Sequence, residues 1–225
     1  MVSRLIIQDV AWLIYMAALL FVPAGTVRWP AAWVFLAEMG TLGLVVGLWL
    51  VRYDPQLLTE RLSSPIQRRQ ATWDKFLIVA FLLLWSGWLV LMALDAARYR
   101  LSHVPFRMHA VGGLGILLSV YVGYLTFRAN SYAAPVVKIQ KERGQRVITT
   151  GPYRYVRHPL YAGALLFLLG TPLLLGSWYG LAAAPLMVAV LAIRIVLEER
   201  TLRIELDGYA EYAGNVRYRL VPLIW

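Results

Sequence analysis

Gly151-Pro152-Tyr153-Arg154-Tyr155-Val156-Arg157-His158-Pro159-Leu160-Tyr161-Ala162-Gly163 sets cations, aromatic rings and an imidazole between two very apolar stretches, at the mouth of a membrane helix. Charge and backbone-breaking residues at a bilayer boundary are costly unless something uses them. The run therefore marks both an end of a span and a site.

Outward from it, the 225-residue chain is 60% apolar and only 15% charged, against roughly 45–50% apolar for a soluble domain. Apolar segments lie at about 6–22, 31–51, 76–94, 108–127, 160–175 and 179–197. Most are long enough to cross a ~30 Å hydrocarbon layer as helices. The fifth is short, so the fifth and sixth, joined by Gly176-Ser177-Trp178, are expected to form a tilted or partly immersed hairpin. The predicted fold is all-α: a polytopic integral-membrane helical bundle with five to six transmembrane helices and a cytoplasmic C-terminal helix. The stretch Met1–Arg4 and the apolar residues after it lack a small-residue cleavage site and read as a retained anchor.

Eighteen of the 22 lysines and arginines fall in the N-terminus, the 52–75 and 128–157 loops and the region from Arg194 onward; Arg28, Arg98, Arg100 and Arg107 fall opposite. This asymmetry places both termini and the two large loops in the cytoplasm. The net charge of +10 then lines the membrane boundary, where it meets anionic headgroups rather than nucleic acid. Cysteine is absent, which removes disulfides and thiol nucleophiles. Three scattered histidines, His103, His109 and His158, give no metal-ligand spacing, so no metal is expected.

Neither repeat nor linker divides the chain, so one membrane domain over 1–225 is expected. Residues 54–72 mix leucines at helical spacing with charge and predict an interfacial amphipathic helix ended by Pro65. Gly43, Gly47, Gly112, Gly113 and Gly115 read as close-packing positions between helices. Past the sixth segment, Glu198-Glu199-Arg200 and Leu202 with Leu206 predict a continuation that folds back over the membrane mouth.

Four groups of residues could carry chemistry. His158 follows Arg157 and precedes Pro159, where the first N–H groups of a helix, Arg157 or the imidazole could hold an anion. Tyr153, Tyr155 and Tyr161 offer aromatic faces for a base or a cation. Glu198 and Glu199 end an apolar helix at its unfavourable dipole end, compensated by Arg194 or Arg200 or by an amino group of a ligand. Glu38, an acid within the second span, is either functional or hydrogen-bonded to a neighbouring helix.

The succession Gly151-Pro152-Tyr153, then Arg157-His158-Pro159-x-Tyr161-x-Gly163, an apolar hairpin, Glu198-Glu199, the pair Tyr209 and Tyr212 and a final Val221-Pro222 resembles the isoprenylcysteine carboxyl methyltransferase family, which is related to the membrane phosphatidylethanolamine N-methyltransferases. The resemblance covers about residues 130–225, and Ser131–Val147 looks like the bacterial branch, which implies the bacterial inner membrane. It implies S-adenosylmethionine as cofactor, a core over 130–225 built on N-terminal helices over 1–129, and O-methylation of a lipophilic carboxylate on the cytoplasmic side. Carried over by residue, it places Gln145, Val147, Ile148, Gly151, Tyr153, His158, Pro159 and Tyr161 around the cofactor, with Glu198 and Glu199 near its amino-acid part. Arg157, His158, Glu199 and Arg194 are then the candidate catalytic residues, the arginines steering an acidic headgroup. Gln145 stands where the carboxyl methyltransferases usually carry histidine.

Methyl transfer needs in-line alignment of two groups about 3–3.5 Å apart more than a covalent catalyst, so the missing thiol is no objection. The other readings are a phospholipid amine N-methyltransferase, an NADPH-dependent sterol-reductase-like enzyme and a transporter or scaffold. Sterol reductases carry a related His-Pro-Asn-Tyr-x-Gly run, in which Leu160 stands at the Asn position here. The transporter reading expects more polar residues at mid-membrane than Glu38 alone.

Overall fold

The structure, a computed structural model, describes residues 1–67 and 69–225. Arg68, one of the loop cations counted above, lies outside the described residues. Long helices follow the apolar segments: α1 (Val2–Ala24), α2 (Pro30–Tyr53), α4 (Thr72–Met92), α5 (Phe106–Ala129) and α7 (Trp178–Glu205) are each long and apolar enough to cross a membrane. The shorter α6 (Pro159–Leu175) completes the bundle, α3 (Pro55–Arg61) and α8 (Tyr209–Asn215) are short, and no strand occurs among the described residues. The protein is an all-helical integral-membrane protein.

Local chemistry sets the helix ends. Proline opens α2, α3 and α6, where its missing N–H is not needed. Asp54 caps α3 by accepting from the Leu57 N–H at 3.0 Å, and Ser177 caps α7 by accepting from the Gly180 N–H at 2.8 Å. Between α6 and α7 only Gly176 and Ser177 remain, and Gly176 takes φ 84°, the left-handed turn that lets the chain reverse at once. The hairpin expected from the short fifth segment is therefore tight. At ~1.5 Å per residue, the 17 residues of α6 reach about 25 Å and the 28 of α7 about 42 Å. The last turns of α7 consequently project past a ~30 Å core.

The interfacial helix is shorter than the sequence suggests. It stops at Arg61, with Leu62 as its C-cap, and Pro65 does not end it. Its buried residues, Leu57 and Leu58, sit in one turn against Leu5, Leu50 and Phe127, and the partly buried C-cap Leu62 is the last residue to join that contact. Packing, not the proline, sets the length.

One end of the bundle gathers the cation-rich segments. Arg4 donates to the Leu62 carbonyl at 2.6 Å. Lys138 donates to Glu60 at 2.6 Å, and Arg194 donates to Asp74 at 2.7 Å and to the Pro135 carbonyl at 2.8 Å. At the other end, in the π-helical turn Ala93–Arg98, Asp95 accepts from Ser102 at 2.6 Å and Ser177 at 2.5 Å, fastening α4 to the α6–α7 turn.

The glycines work as packing positions. A Cβ on Gly112 would stand 2.3 Å from the Leu174 nitrogen and 2.6 Å from the Gly170 carbonyl oxygen, so α5 and α6 touch backbone to backbone. Gly43 and Gly47 similarly admit Asp9 and Leu5 of α1. Gly112→Ala must push the two helices apart, at a cost of about 1–3 kcal/mol. Thermal unfolding in detergent should show a lowered midpoint for that variant, whereas Gly87→Ala, which meets open space, should leave it unchanged.

Candidate active site

The entrance of α6 and the exit of α7 converge. Because α7 is a helix, adjacent Glu198 and Glu199 point about 100° apart and reach different partners. Glu199, 3% exposed, accepts from Arg157 Nε at 2.6 Å, His158 Nε2 at 3.2 Å and Arg219 Nε at 3.0 Å. A carboxylate only accepts, so His158 Nε2 carries the proton in this contact. Arg157 also donates through Nη1 to the carbonyls of Val216 at 2.7 Å and Arg217 at 3.0 Å. Its main-chain N–H goes to Tyr218 and that of His158 to Arg219, both at 2.9 Å. The chain after α8 is thus pinned across the start of α6.

Beside this cluster lies a cleft. Its walls are Asn130, Tyr132 and the loop over 133–138, the strip Gln145–Ile148, Tyr153, the α6 entrance His158–Tyr161, and Glu198, Leu202 and Leu206 on one face of α7 at four-residue spacing. Tyr209 and Tyr212 of α8 close it. Together with its mouth and the solvent space in front of it, the cleft spans about 850 Å³.

Glu198 is the acid that this cleft exposes. It accepts from the Tyr161 hydroxyl at 2.7 Å and forms no ion pair among the described residues. Tyr153 accepts from Asn130 at 2.7 Å, which leaves its own hydrogen free to donate. Burial pushes the Tyr153 phenol up to about 12, the Asn130 contact offsetting part of this. Burial first, and the nearby acids second, push Tyr209 up, and burial with Tyr153 beside it does the same to Tyr212. All three are neutral O–H groups at physiological pH. The Tyr209 hydroxyl is buried with no partner among the described residues. Residues 146–149 form no main-chain hydrogen bonds among the described residues, so a run of peptide groups along the wall awaits partners.

The structure brings Gln145, Val147, Ile148, Tyr153, His158, Pro159, Tyr161 and Glu198 together around one cleft, and other candidates lie elsewhere. Gly151 and Tyr155 border a separate groove with Arg154, because the 3₁₀ turn at 151–154 turns them outward. Glu199 stands behind the cleft wall, consumed by three donors. Arg194 neither compensates Glu199 nor reaches the cleft; Asp74 and Pro135 hold it, with the Tyr161 ring 5.7 Å away. The α6 N–H anion site loses the Arg157 and His158 donors to the C-terminal segment. Glu38 faces Gly113 in a cavity at the opposite end, with His103 and His109, and one of its oxygens is buried without a partner. His109 packs by bonding the Leu174 carbonyl at 2.7 Å.

Sequence reasoning did not assign Asn130, Tyr132, Tyr209, Tyr212 or Arg219. The two tyrosines three apart before the chain end were the available signal. For Arg219 none existed, since its partner lies 20 residues back on another element. Gln145, in place of a histidine, turns its side-chain oxygen to the Gln140 N–H at 2.7 Å and shapes the loop.

Residues 107–205 match the family model described as phospholipid methyltransferase. The chain is 26% identical over 187 residues to protein-S-isoprenylcysteine O-methyltransferase of Schizosaccharomyces pombe, covering 75% of this chain and 79% of that one. Over 84 residues it is 34% identical to protein-S-isoprenylcysteine O-methyltransferase B of Arabidopsis thaliana, covering 36% and 42%. The solved structure of a eukaryotic intramembrane Ras methyltransferase, isoprenylcysteine carboxyl methyltransferase, is 20% identical and superposes with a TM-score of 0.49 over 97% of this chain and 84% of that one.

Removing one partner from a buried ion cluster leaves the others uncompensated, at about 3–5 kcal/mol. Glu199→Gln should therefore free the pinned C-terminal segment, so that trypsin cuts at Arg217 and Arg219 many times faster than in the parent protein. Glu198→Gln should leave that cleavage rate unchanged.

Proposed function

We propose that the chain is a membrane methyltransferase like the isoprenylcysteine carboxyl methyltransferases it resembles, and that its cleft holds S-adenosylmethionine and methylates the carboxylate of a lipophilic, isoprenyl-like acceptor on the cytoplasmic side. The observation that carries this reading is Glu198, an acid that forms no ion pair among the described residues, in a tyrosine-walled cleft where α6 begins and α7 ends.

The walls suit such a cofactor. The orphaned Tyr209 hydroxyl and the unbonded peptide groups of 146–149 call for a polar ligand. Glu198 would take its ammonium group, charge to charge. Arg146, exposed at the rim, would meet its carboxylate, and the rings of Tyr153 and Tyr212 present faces to a base or a sulfonium. Val147 and Ile148 offer main-chain donors and acceptors to an adenine edge. That every lining residue falls between Asn130 and Tyr212 supports a core over 130–225 carried by the N-terminal helices.

When bound, the cofactor would supply an electrophilic sulfonium methyl group for transfer to an acceptor oxygen, with the neutral thioether as the leaving group. No proton need move, so no general base is required of the cleft. Arg157 and Glu199 act as positioning residues, holding α6, α7 and the C-terminal segment in register around the reacting space. His158 spends Nε2 on Glu199 and keeps Nδ1 without a protein partner beside the cleft. Leu160 lines both the cleft and an apolar cavity among α1, α2, α4, α5, α6 and α7, an obvious course for a hydrocarbon tail. The match to the phospholipid methyltransferase model keeps a second acceptor in view, a lipid amine.

Purified protein incubated with methyl-labelled S-adenosylmethionine and an N-acetyl-S-isoprenylcysteine should yield label that mild alkali releases, as an ester does. Label in phospholipid that survives alkali would instead establish the amine reading. Glu198→Gln should weaken cofactor binding about tenfold or more by calorimetry, with an unchanged unfolding midpoint; undiminished affinity would refute its assignment.

A further inference from the structure

Arg61, the last residue of α3, forms no ion pair among the described residues. Its Nη1 donates to the Ala133 carbonyl at 3.0 Å and its guanidinium carbon sits 4.3 Å from the centre of the Phe127 ring. No acid among the described residues pairs with it. Neighbouring Glu60 is taken by Lys138 at 2.6 Å. Asp54 caps α3, and Asp74 holds Arg194. Burial pulls the Arg61 guanidinium down to about 10, which leaves it charged at neutral pH.

Its position carries the argument. Arg61 lines the apolar cavity formed by Trp12, Met39, Phe81, Trp85 and Phe167 with Leu160. Leu160 and Ala133, the residue whose carbonyl Arg61 grips, also line the tyrosine-walled cleft. The guanidinium therefore stands where an apolar cavity and a polar cleft adjoin. A charge held in apolar surroundings is costly while uncompensated, and the fork of a guanidinium matches a carboxylate.

We infer that Arg61 anchors the acceptor's carboxylate, with the acceptor's tail in the apolar cavity and its head at the edge of the cleft. The assignment rests on the methyl-transfer reading and sharpens it. One carboxylate oxygen would be held by the guanidinium while the other stays free to attack. The same positive charge repels an ammonium, so Arg61 would select acids over lipid amines.

The test uses the full-length protein in nanodiscs with two probes, N-acetyl-S-farnesylcysteine and its primary amide. Wild type should bind the acid roughly 10- to 100-fold more tightly than the amide. Arg61→Gln should erase that preference and raise the KM for the acid by a similar factor. Affinity for S-adenosylmethionine should stay within about twofold, and Arg61→Lys should restore part of the preference. A residue that merely braced the Ala133 loop would lower affinity for cofactor and both probes together. Wild type that methylates the acid yet binds acid and amide alike overturns the Arg61 assignment, whether or not the variants fold. Wild type that binds cofactor but methylates no lipophilic acid overturns the functional reading instead.

Discussion

A single buried carboxylate organises the functional end of this protein. Glu199 draws two guanidinium groups and an imidazole onto itself, and they arrive from two separate stretches: Arg157 and His158 from the entrance of α6, Arg219 from the chain beyond α8. Taking such charges out of water costs several kcal/mol per ion. Three donors to the acid, and carbonyls on the far side of Arg157, offset that cost. The cluster is therefore all-or-none in character. With every member present it locks the C-terminal segment against two helices; with one missing, the remaining charges favour water and the wall formed by Tyr209 and Tyr212 loses its support.

The arrangement separates two tasks that adjacent acids appear to share in the chain. Glu199 is spent on architecture, whereas Glu198, one helical step around, is held by a single neutral hydroxyl and stays open to a ligand. Rigid helices carry both, and the seam between α5 and α6 keeps the α6 entrance from drifting. At the far end, Asp95 and the serines near it do for the α6–α7 turn what Glu199 does for the α6 entrance.

Much of this could be read from the chain, for identifiable reasons. Hydropathy reports burial in lipid directly, so the long spans and the short α6 followed from it. Cations at the α6 mouth stood out because a bilayer boundary makes polarity expensive. What could not be read was partnership. Arg194 lies one turn from the acids, yet Asp74, 120 residues away, captures it, since the neighbour of a helix face is decided by bundle packing. The split between Glu198 and Glu199 depends on the rotation of α7 against α6, and the truncation of α3 at Arg61 on how little apolar surface follows Leu62. Arg61 itself looked like one more interfacial cation among several until the fold set it beside Leu160.

The unbonded strip at residues 146–149 has an implication for how this fold diversifies. Peptide groups are common to all residue types except proline, so a surface that grips its ligand through the main chain imposes little demand on the side chains it carries. Substitutions at Val147 and Ile148 could then accumulate without loss of such a grip, provided the loop keeps its path. Divergent chains could thus hold one common molecule while their residues for choosing a second partner change freely.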